Sequence, residues 1–377
     1  MTSVFSYRYR IEPNKTQAGL LSEMLADFCE LYNAALEHRV RAYEKGVSVT
    51  RFDQQAELPE IRRDLCHIGR WSATAEQHVI QKLDRTFKAF FRRCKRGDVP
   101  GFPRFKSSRH YHAADFRVGD GLRLTKTGKL ALLGVPGEIK VRWHRAWPSK
   151  PKSAVLSRKA GKWYLLLRFD VAVAVESSGT KMVGIDLGLS NFAVLSDGAF
   201  VKRQRITKRN ARKLRRLQRA MSRAMRGSKM YEKRRSSVAK HHFYIANFRR
   251  DFLHKESRKL VNKFGRIAFE DLSIKGLAAG MLAKEIHDAS WAQFILMVSY
   301  KAANAGGEVV LVDPRGTSQT CPECGVIAKK TIKQRLHNCP CGCLLDRDVA
   351  AAMIVYQRAF GRPPGMGGGS LIKQAAA

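Results

Sequence analysis

The stretch from Thr317 to Asp348 constrains this chain most. It reads TSQTCPECG, then a short basic excursion, then NCPCGCLLDRD. Cys321 and Cys324 form a C-x2-C knuckle, and Cys339 and Cys341 a tighter C-x-C with Cys343 just beyond. Thiolates so spaced close on a tetrahedral Zn²⁺, and a loop-rich insert with no core of its own needs such a staple. The tightness of the C-x-C leaves His337 and Cys343 as alternative ligands. Four protein ligands leave no open position, so the expected zinc is structural. Asp346-Arg347-Asp348 and a small-residue helix, VAAAMIVYQRAF, follow directly. The metal-pinned finger therefore delivers a carboxylate to a helix start.

What that carboxylate meets is set by the rest of the chain. Its 377 residues suggest two or three domains, and a hydrophobic content of 44% supports a real core. Charge decides more: 70 Lys+Arg against 32 Asp+Glu give +38. A field of that size needs a polyanion partner, which points to nucleic acid. Cys29, Cys66 and Cys94 stand alone in helical contexts and read as buried small hydrophobes. A thiol cluster plus isolated thiols fits a reducing cytosol, not a disulfide scaffold. The N-terminus lacks a signal peptide's apolar core, and no apolar run approaches membrane-spanning length. A cytoplasmic, nucleoid-associated protein with no membrane partner is the expectation.

Three textures succeed one another. VFSYRYRI alternates apolar with basic and predicts a strand; residues 14–97 then carry helical periodicity, with Ser72 as an N-cap and Gly97 as a stop. From Gly101 to residue 176, short strand-like runs punctuated by Gly and Pro predict a small β-barrel into which the helices are inserted. Phe102, Phe105, Tyr111, Trp143 and Trp147, interleaved with Arg and Lys, suit either base stacking or barrel core and rim. The third texture begins at Thr180 with strand, turn, strand, turn, strand. Residues 202–263 follow as a long basic helical pair in which Arg212, Arg215, Arg216, Arg219, Lys233, Arg234 and Arg235 suggest a phosphate-tracking surface. RIAFEDLSI is a further strand; DASWAQFILMVSYKAANA is an apolar helix with Asp288 as its expected N-cap; EVVLVDP is the next buried strand.

That order of elements is the order of an RNase H-like fold. Asp186 ends its first strand, Glu270 closes its fourth and Asp348 opens its last helix. Strand ends of one sheet lie close together, so three acids distant in sequence converge. Phosphodiester hydrolysis needs them to hold Mg²⁺ or Mn²⁺ ions about 4 Å apart. Asp271 competes with Glu270, and Asp346 with Asp348. Asp271 is free to point to the opposite face, and Asp346 to cap the helix or pair with Arg347.

VGIDLGLSNFAVLSDG, IAFEDLSIKGL, DASWAQF, YKAANAGGEVVLVDPRGTSQTCPECG and the CPCG…DRD run closely resemble the TnpB family of RNA-guided endonucleases from bacterial insertion sequences. YRYRIEPNKTQ, LYNAAL and GFPRFK resemble the family's entry segments, so the likeness covers almost the whole chain. It implies a mixed α/β and β multidomain fold. A wedge β-barrel is expected at 1–13 and 98–178, with a helical recognition insertion at 14–97. A RuvC nuclease domain is expected at 179–316 and 346–364, a zinc-binding target-strand-loading finger at 317–345 and a flexible tail at 365–377. It further implies a guide RNA, a double-stranded DNA target beside a short adjacent motif, and Asp186, Glu270 and Asp348 as catalytic acids; the sequence leaves the oligomeric state open, with one monomer per guide favoured. There is one departure. The family follows its last acid with x-Asn-Ala-Ala-x-Asn, whereas here Ala350 and Ile354 occupy the two Asn positions. This opens a second reading, a guided DNA binder with weak or no cleavage. A third is a zinc-ribbon accessory protein without a guide, against which the complete acid triad argues.

Overall fold

Alternation in TSVFSYRYRIE produces the first strand, β1 (Thr2–Glu12), which turns Tyr9 and Ile11 into a core that leaves them 0% and 2% exposed. The computed structural model describes residues 2–172, 181–328, 331 and 334–361. The expected tail at 365–377 and the expected barrel end at 178 lie outside the described residues. The chain divides into two units, Met1–Val173 and Ala174–Ala377.

In the first unit β1 is followed by five helices: α1 (Lys15–Glu44), α2 (Arg51–Ala56), α3 (Leu58–Asp64), α4 (Cys66–Gly69) and α5 (Ala73–Lys95). Asn14 and Gln17 cap α1 reciprocally, and the Ser72 hydroxyl caps α5 by accepting from Ala75 N–H. Six strands follow: β2 (Ala113–Arg117), β3 (Leu122–Leu124), β4 (Leu130–Leu132), β5 (Val135–Arg142), β6 (Ser153–Lys159) and β7 (Lys162–Ala172). Among the described residues they form, with β1, a barrel-like seven-stranded sheet in the order β2-β6-β7-β1-β5-β4-β3. The sequence pattern does not announce β2. Its AADFR puts only Ala114 and Phe116 into the core, and alanine has little strand preference.

One expectation for this unit is corrected, and one left open is resolved for two residues. Cys29 is buried, but Cys66 and Cys94 are exposed, because each sits on the solvent side of a short or terminal helical turn. Tyr111 is barrel core at 2% exposure, and the Trp143 indole is tied to Gly128 O at 2.7 Å. Phe105 and Phe102 are exposed, although Phe102 also packs edge-on against Phe90 at 5.3 Å.

The second unit opens with β8 (Met182–Asp186), β9 (Asn191–Leu195) and β10 (Phe200–Lys202), then two long helices, α6 (Ile206–Ser222) and α7 (Lys229–Lys263). β11 (Arg266–Glu270), α8 (Ile274–Leu277), α9 (Ala283–Ala289), α10 (Trp291–Asn304) and β12 (Glu308–Val312) come next. A small hairpin, β13 (Leu336–Asn338) with β14 (Leu344–Asp346), precedes the last helix, α11 (Arg347–Phe360). The five-stranded sheet runs β10-β9-β8-β11-β12, with β8, β11 and β12 mutually parallel and the first two antiparallel.

Side chains alternate across this sheet. Val183, Ile185, Ile267 and Phe269 face a core shared with Leu253 and Leu260 of α7 and Phe294 and Val298 of α10. Ala268 and Val312 face the other way, onto Val355 of α11. Burying a side chain such as Phe269 or Phe294 stabilises the unit by about 1.5–3 kcal/mol.

Asp288 is a correction. It does not cap α10; it lies inside α9, and Ser290 at φ 57° separates the two helices. Its carboxylate is engaged elsewhere. It accepts from Thr207 N–H and Oγ1 at the start of α6, and pairs with Arg249 of α7 at 2.7 Å. One buried acid thus ties α6, α7 and α9 together.

Candidate functional site

The parallel register pairs Ala268 with Gly184 and Phe269 with Ile185, so Glu270 and Asp186 are the next step at the same end of adjacent strands. Alternation sends both toward the face that carries Gly184 and Ala268, which is the face α11 covers. Gly184 shows how tightly. A Cβ there would meet Ala352 O at 2.3 Å and Tyr356 N at 2.4 Å. The glycine lets the backbone of α11 lie directly on β8, which sets the start of α11, and Asp348 with it, beside Asp186.

Electrostatics report the convergence. Burial, and then the carboxylates of Glu270 and Asp348, push the Asp186 carboxyl up to about 8. Burial also raises Glu270, against which the Thr317 hydroxyl and Arg358 pull. Glu270 is 7% exposed and accepts a 2.5 Å hydrogen bond from Thr317 Oγ1, itself on a buried residue. Asp348 is flanked by Arg347 at 3.2 Å and Arg335 at 3.9 Å. Asp346 takes the capping role, accepting from Asp348 N–H at 2.8 Å and Val349 N–H at 3.3 Å. Asp271 is exposed, and its amide extends the ladder to Val312 O. Three convergent acids supply hard oxygen donors, which suit a divalent metal such as Mg²⁺ or Mn²⁺. Sequence reasoning gave Thr317 no role, since a threonine in a loop carries no signal until its partner is placed.

The finger follows β12. Cys321 and Cys341 Sγ atoms lie 3.7 Å apart, those of Cys324 and Cys339 3.5 Å apart, and all four are mutually within 4.8 Å. Thiolates about 2.3 Å from one ion at tetrahedral angles stand about 3.8 Å from each other, so the set fits Zn²⁺. Asp186, Glu270 and Asp348 form no group as tight as this among the described residues.

The basic surface lies on α6 and α7. Arg212, Arg215, Arg216, Arg219 and Lys233 are exposed. Arg235 is exposed but paired with Glu232 at 2.7 Å, and Arg234 is used internally, donating to Ala220 O of α6 at 2.6 Å. Among the described residues no helix is long and apolar enough to cross a membrane.

Comparison with known proteins adds three findings. Residues 168–280 match the OrfB_IS605 family model, described as "Probable transposase", and residues 291–355 a model described as "Cas12f1-like, TNB domain". Residues 1–47 match one described as "Helix-turn-helix domain", although the structure has strand β1 and the single helix α1 there. A "Putative RNA-guided DNA endonuclease" of Streptomyces pristinaespiralis is 32% identical over 356 residues, covering 92% of this chain and 87% of that protein. "Putative RNA-guided DNA endonuclease InsQ" of Escherichia coli K12 is 32% identical over 352 residues, covering 88% and 85%. In fold, the chain is similar to a protein in "Cryo-EM structure of the Cas12f1-sgRNA-target DNA complex", with a TM-score of 0.56 at 15% identity, covering 91% of this chain and 83% of that one.

Proposed function

This chain belongs to the TnpB family, and from that premise we propose that it is an RNA-guided DNA endonuclease of a transposable element, hydrolysing target DNA beside a short adjacent motif. The second unit then acts as a RuvC-type, RNase H-like nuclease with the finger inserted between β12 and α11. The sheet order and the parallel β8, β11 and β12 support that assignment. The observation that carries the proposal is the delivery of Asp186, Glu270 and Asp348 to one sheet face from two strand ends and one helix start.

In this reading the three acids hold Mg²⁺ or Mn²⁺. Such ions, once held by these acids, would supply activation of a water and stabilisation of the leaving oxygen. The chain's own residues prepare that site. Thr317 fixes the orientation of Glu270, and Asp346 caps α11 so that Asp348 need not. The exposed arginines of α6 track phosphates of guide or target. Guide pairing reads the sequence, and the protein reads the adjacent motif. Zn²⁺ on Cys321, Cys324, Cys339 and Cys341 holds the finger together.

The test is Asp186→Ala. It should abolish cleavage by about a thousandfold or more while a discrete RNA still co-purifies. Full cleavage by that variant overturns the catalytic assignment; absence of any co-purifying RNA from the parent protein favours the accessory-protein reading.

One observation favours a second reading, guided binding with slow or no cleavage. Ala350 and Ile354 carry no amide that could orient a water or phosphate, and both are buried, at 1% and 4% exposed. Ala350→Asn tests this. A cutting rate that rises assigns the handicap to that position; an unchanged or lower rate removes it.

A further inference from the structure

The end of α5 departs from the pattern that built it. Ala75, Val79, Ile80 and Leu83 are buried, but from Asp84 to Lys95 no side chain is. Large apolar residues continue all the same, as Phe87, Phe90 and Phe91. The chain then reverses at Gly97, φ 70°, and brings Phe102 back edge-on against Phe87 at 5.9 Å and Phe90 at 5.3 Å. Phe91 stacks on Phe87 at 6.2 Å. The cluster stays open to solvent: Phe91 and Phe102 are 54% and 51% exposed, and Phe105, further along the same segment, 62%. That segment is held in place. Pro103 is buried, and the Asn33 side chain of α1 grips the Lys106 backbone, donating to its O and accepting from its N–H, each at 2.8 Å. Beside the rings, Arg92, Arg93, Lys95, Arg96 and Arg104 are exposed and form no ion pair among the described residues.

We propose that this surface of the first unit is a stacking platform for the unpaired bases of a single-stranded nucleic acid. An exposed aromatic face takes a base that is not already stacked, and every base has such a face, so the platform accepts single strands with little regard to sequence. In a duplex those faces are covered by neighbouring pairs, and the rings have nothing to receive. The unpaired guanidinium and ammonium groups beside the rings meet the phosphates of the same strand. A second copy of this chain is a poorer occupant, because a two-fold contact would set these cations against one another. The platform shares no residue with the carboxylates or with the arginines of α6, so it does not depend on whether the chain cuts DNA. Under the proposed function its strand is either an unpaired part of the guide or the DNA strand displaced by guide pairing.

The experiment titrates the full chain with short fluorescent probes: oligo(dT), the same backbone without bases, oligo(U), and an oligo(dT)·oligo(dA) duplex. Raised salt weakens contacts made through phosphates alone. Phe105→Ala and Phe91→Ala should each weaken oligo(dT) binding about tenfold and leave the base-free strand and the duplex unchanged, and Phe105→Tyr should restore the wild-type affinity. Arg92→Gln should instead weaken the strands with and without bases alike, and lower the salt slope by about 1. Whichever of oligo(U) and oligo(dT) depends more on Phe105 names the strand as RNA or DNA. If Phe91→Ala lowers the melting temperature, Phe105→Ala decides alone. An unchanged oligo(dT) affinity in Phe105→Ala, or equal loss on the base-free strand, overturns the proposal. So does a wild type that dimerises with concentration while the Phe91→Ala, Phe105→Ala double variant stays monomeric with strand binding intact, which assigns the surface to a second copy. None of these readings requires cleavage, so loss of the nuclease assignment leaves the inference standing and the reverse holds too.

Discussion

The carboxylate centre and the thiolate finger lie in the same unit and are built by opposite means. Asp186, Glu270 and Asp348 are drawn from distant parts of the sequence and brought together by a packed sheet and the helix laid on it. Their like charges oppose the arrangement, and burial of residues such as Phe269, Phe294 and Ala268 sustains it. The cysteines are near neighbours in sequence, and two three-residue strands are the only regular structure among the described residues between them and α11. Under the proposed reading, a zinc ion there would take the place of a core. The contrast teaches that a site can be fixed before its metal arrives or by its arrival, and that substitutions should separate the two cases.

Removal of zinc, or Cys321→Ser, should have the largest effect, because a structural zinc supplies on the order of 10 kcal/mol to so small a fold. Hydrogen exchange should show residues 334–346 losing protection while β8 and β11 keep theirs; equal loss in both would break the contrast. Gly184→Ala should act on the other side. The added methyl meets the backbone of α11, costing about 1–3 kcal/mol or more and displacing Asp348. Thermal unfolding and cleavage should both fall while zinc content stays at wild-type level. Thr317→Val, at the junction of the two regions, should lower cleavage about tenfold with little change in melting temperature, as expected for a residue that orients a ligand.

The smallest effect concerns the scaffold under the carboxylates. Lys301 is 5% exposed, donates to His254 O and Ser257 Oγ, and is pulled down to about 8, chiefly by burial. Between about 8 and the ordinary lysine value the unfolded chain binds more protons than the folded one, so this residue makes stability rise with pH there. Wild type should gain on the order of 1 kcal/mol relative to Lys301→Met as pH goes from about 8 to about 10, read by denaturant unfolding. A difference that is flat with pH would mean that Lys301 never loses its charge.

What the sequence discloses follows the same division. Cysteine spacing is local, so the gathering of Cys321, Cys324, Cys339 and Cys341 is legible without a fold. Strand periodicity is local too, and it locates β8, β11 and β12 and hence the acids at their ends. Partners across the fold are not local. Asp288 reads as an N-cap because it precedes an apolar helix, and only the placement of Thr207 and Arg249 shows its task. Gly184 carries no signal of its role in the sequence, since its neighbour is a helix that begins more than 160 residues later. β2 is hidden because two alanines pack well only against a sheet that already exists.

The close fit of α11 on Gly184 also bears on when the protein acquires its activity. Synthesis runs from the N-terminus, and α11 is the last described element to leave the ribosome. Under the proposed function, a nascent or prematurely ended chain lacking that helix carries Asp186 and Glu270 but not Asp348, and leaves the Ala268 face of its sheet bare. Such a fragment could bind nucleic acid through its arginines without cutting it. Under that reading, competence to cut waits on the last described helix, whereas competence to bind does not.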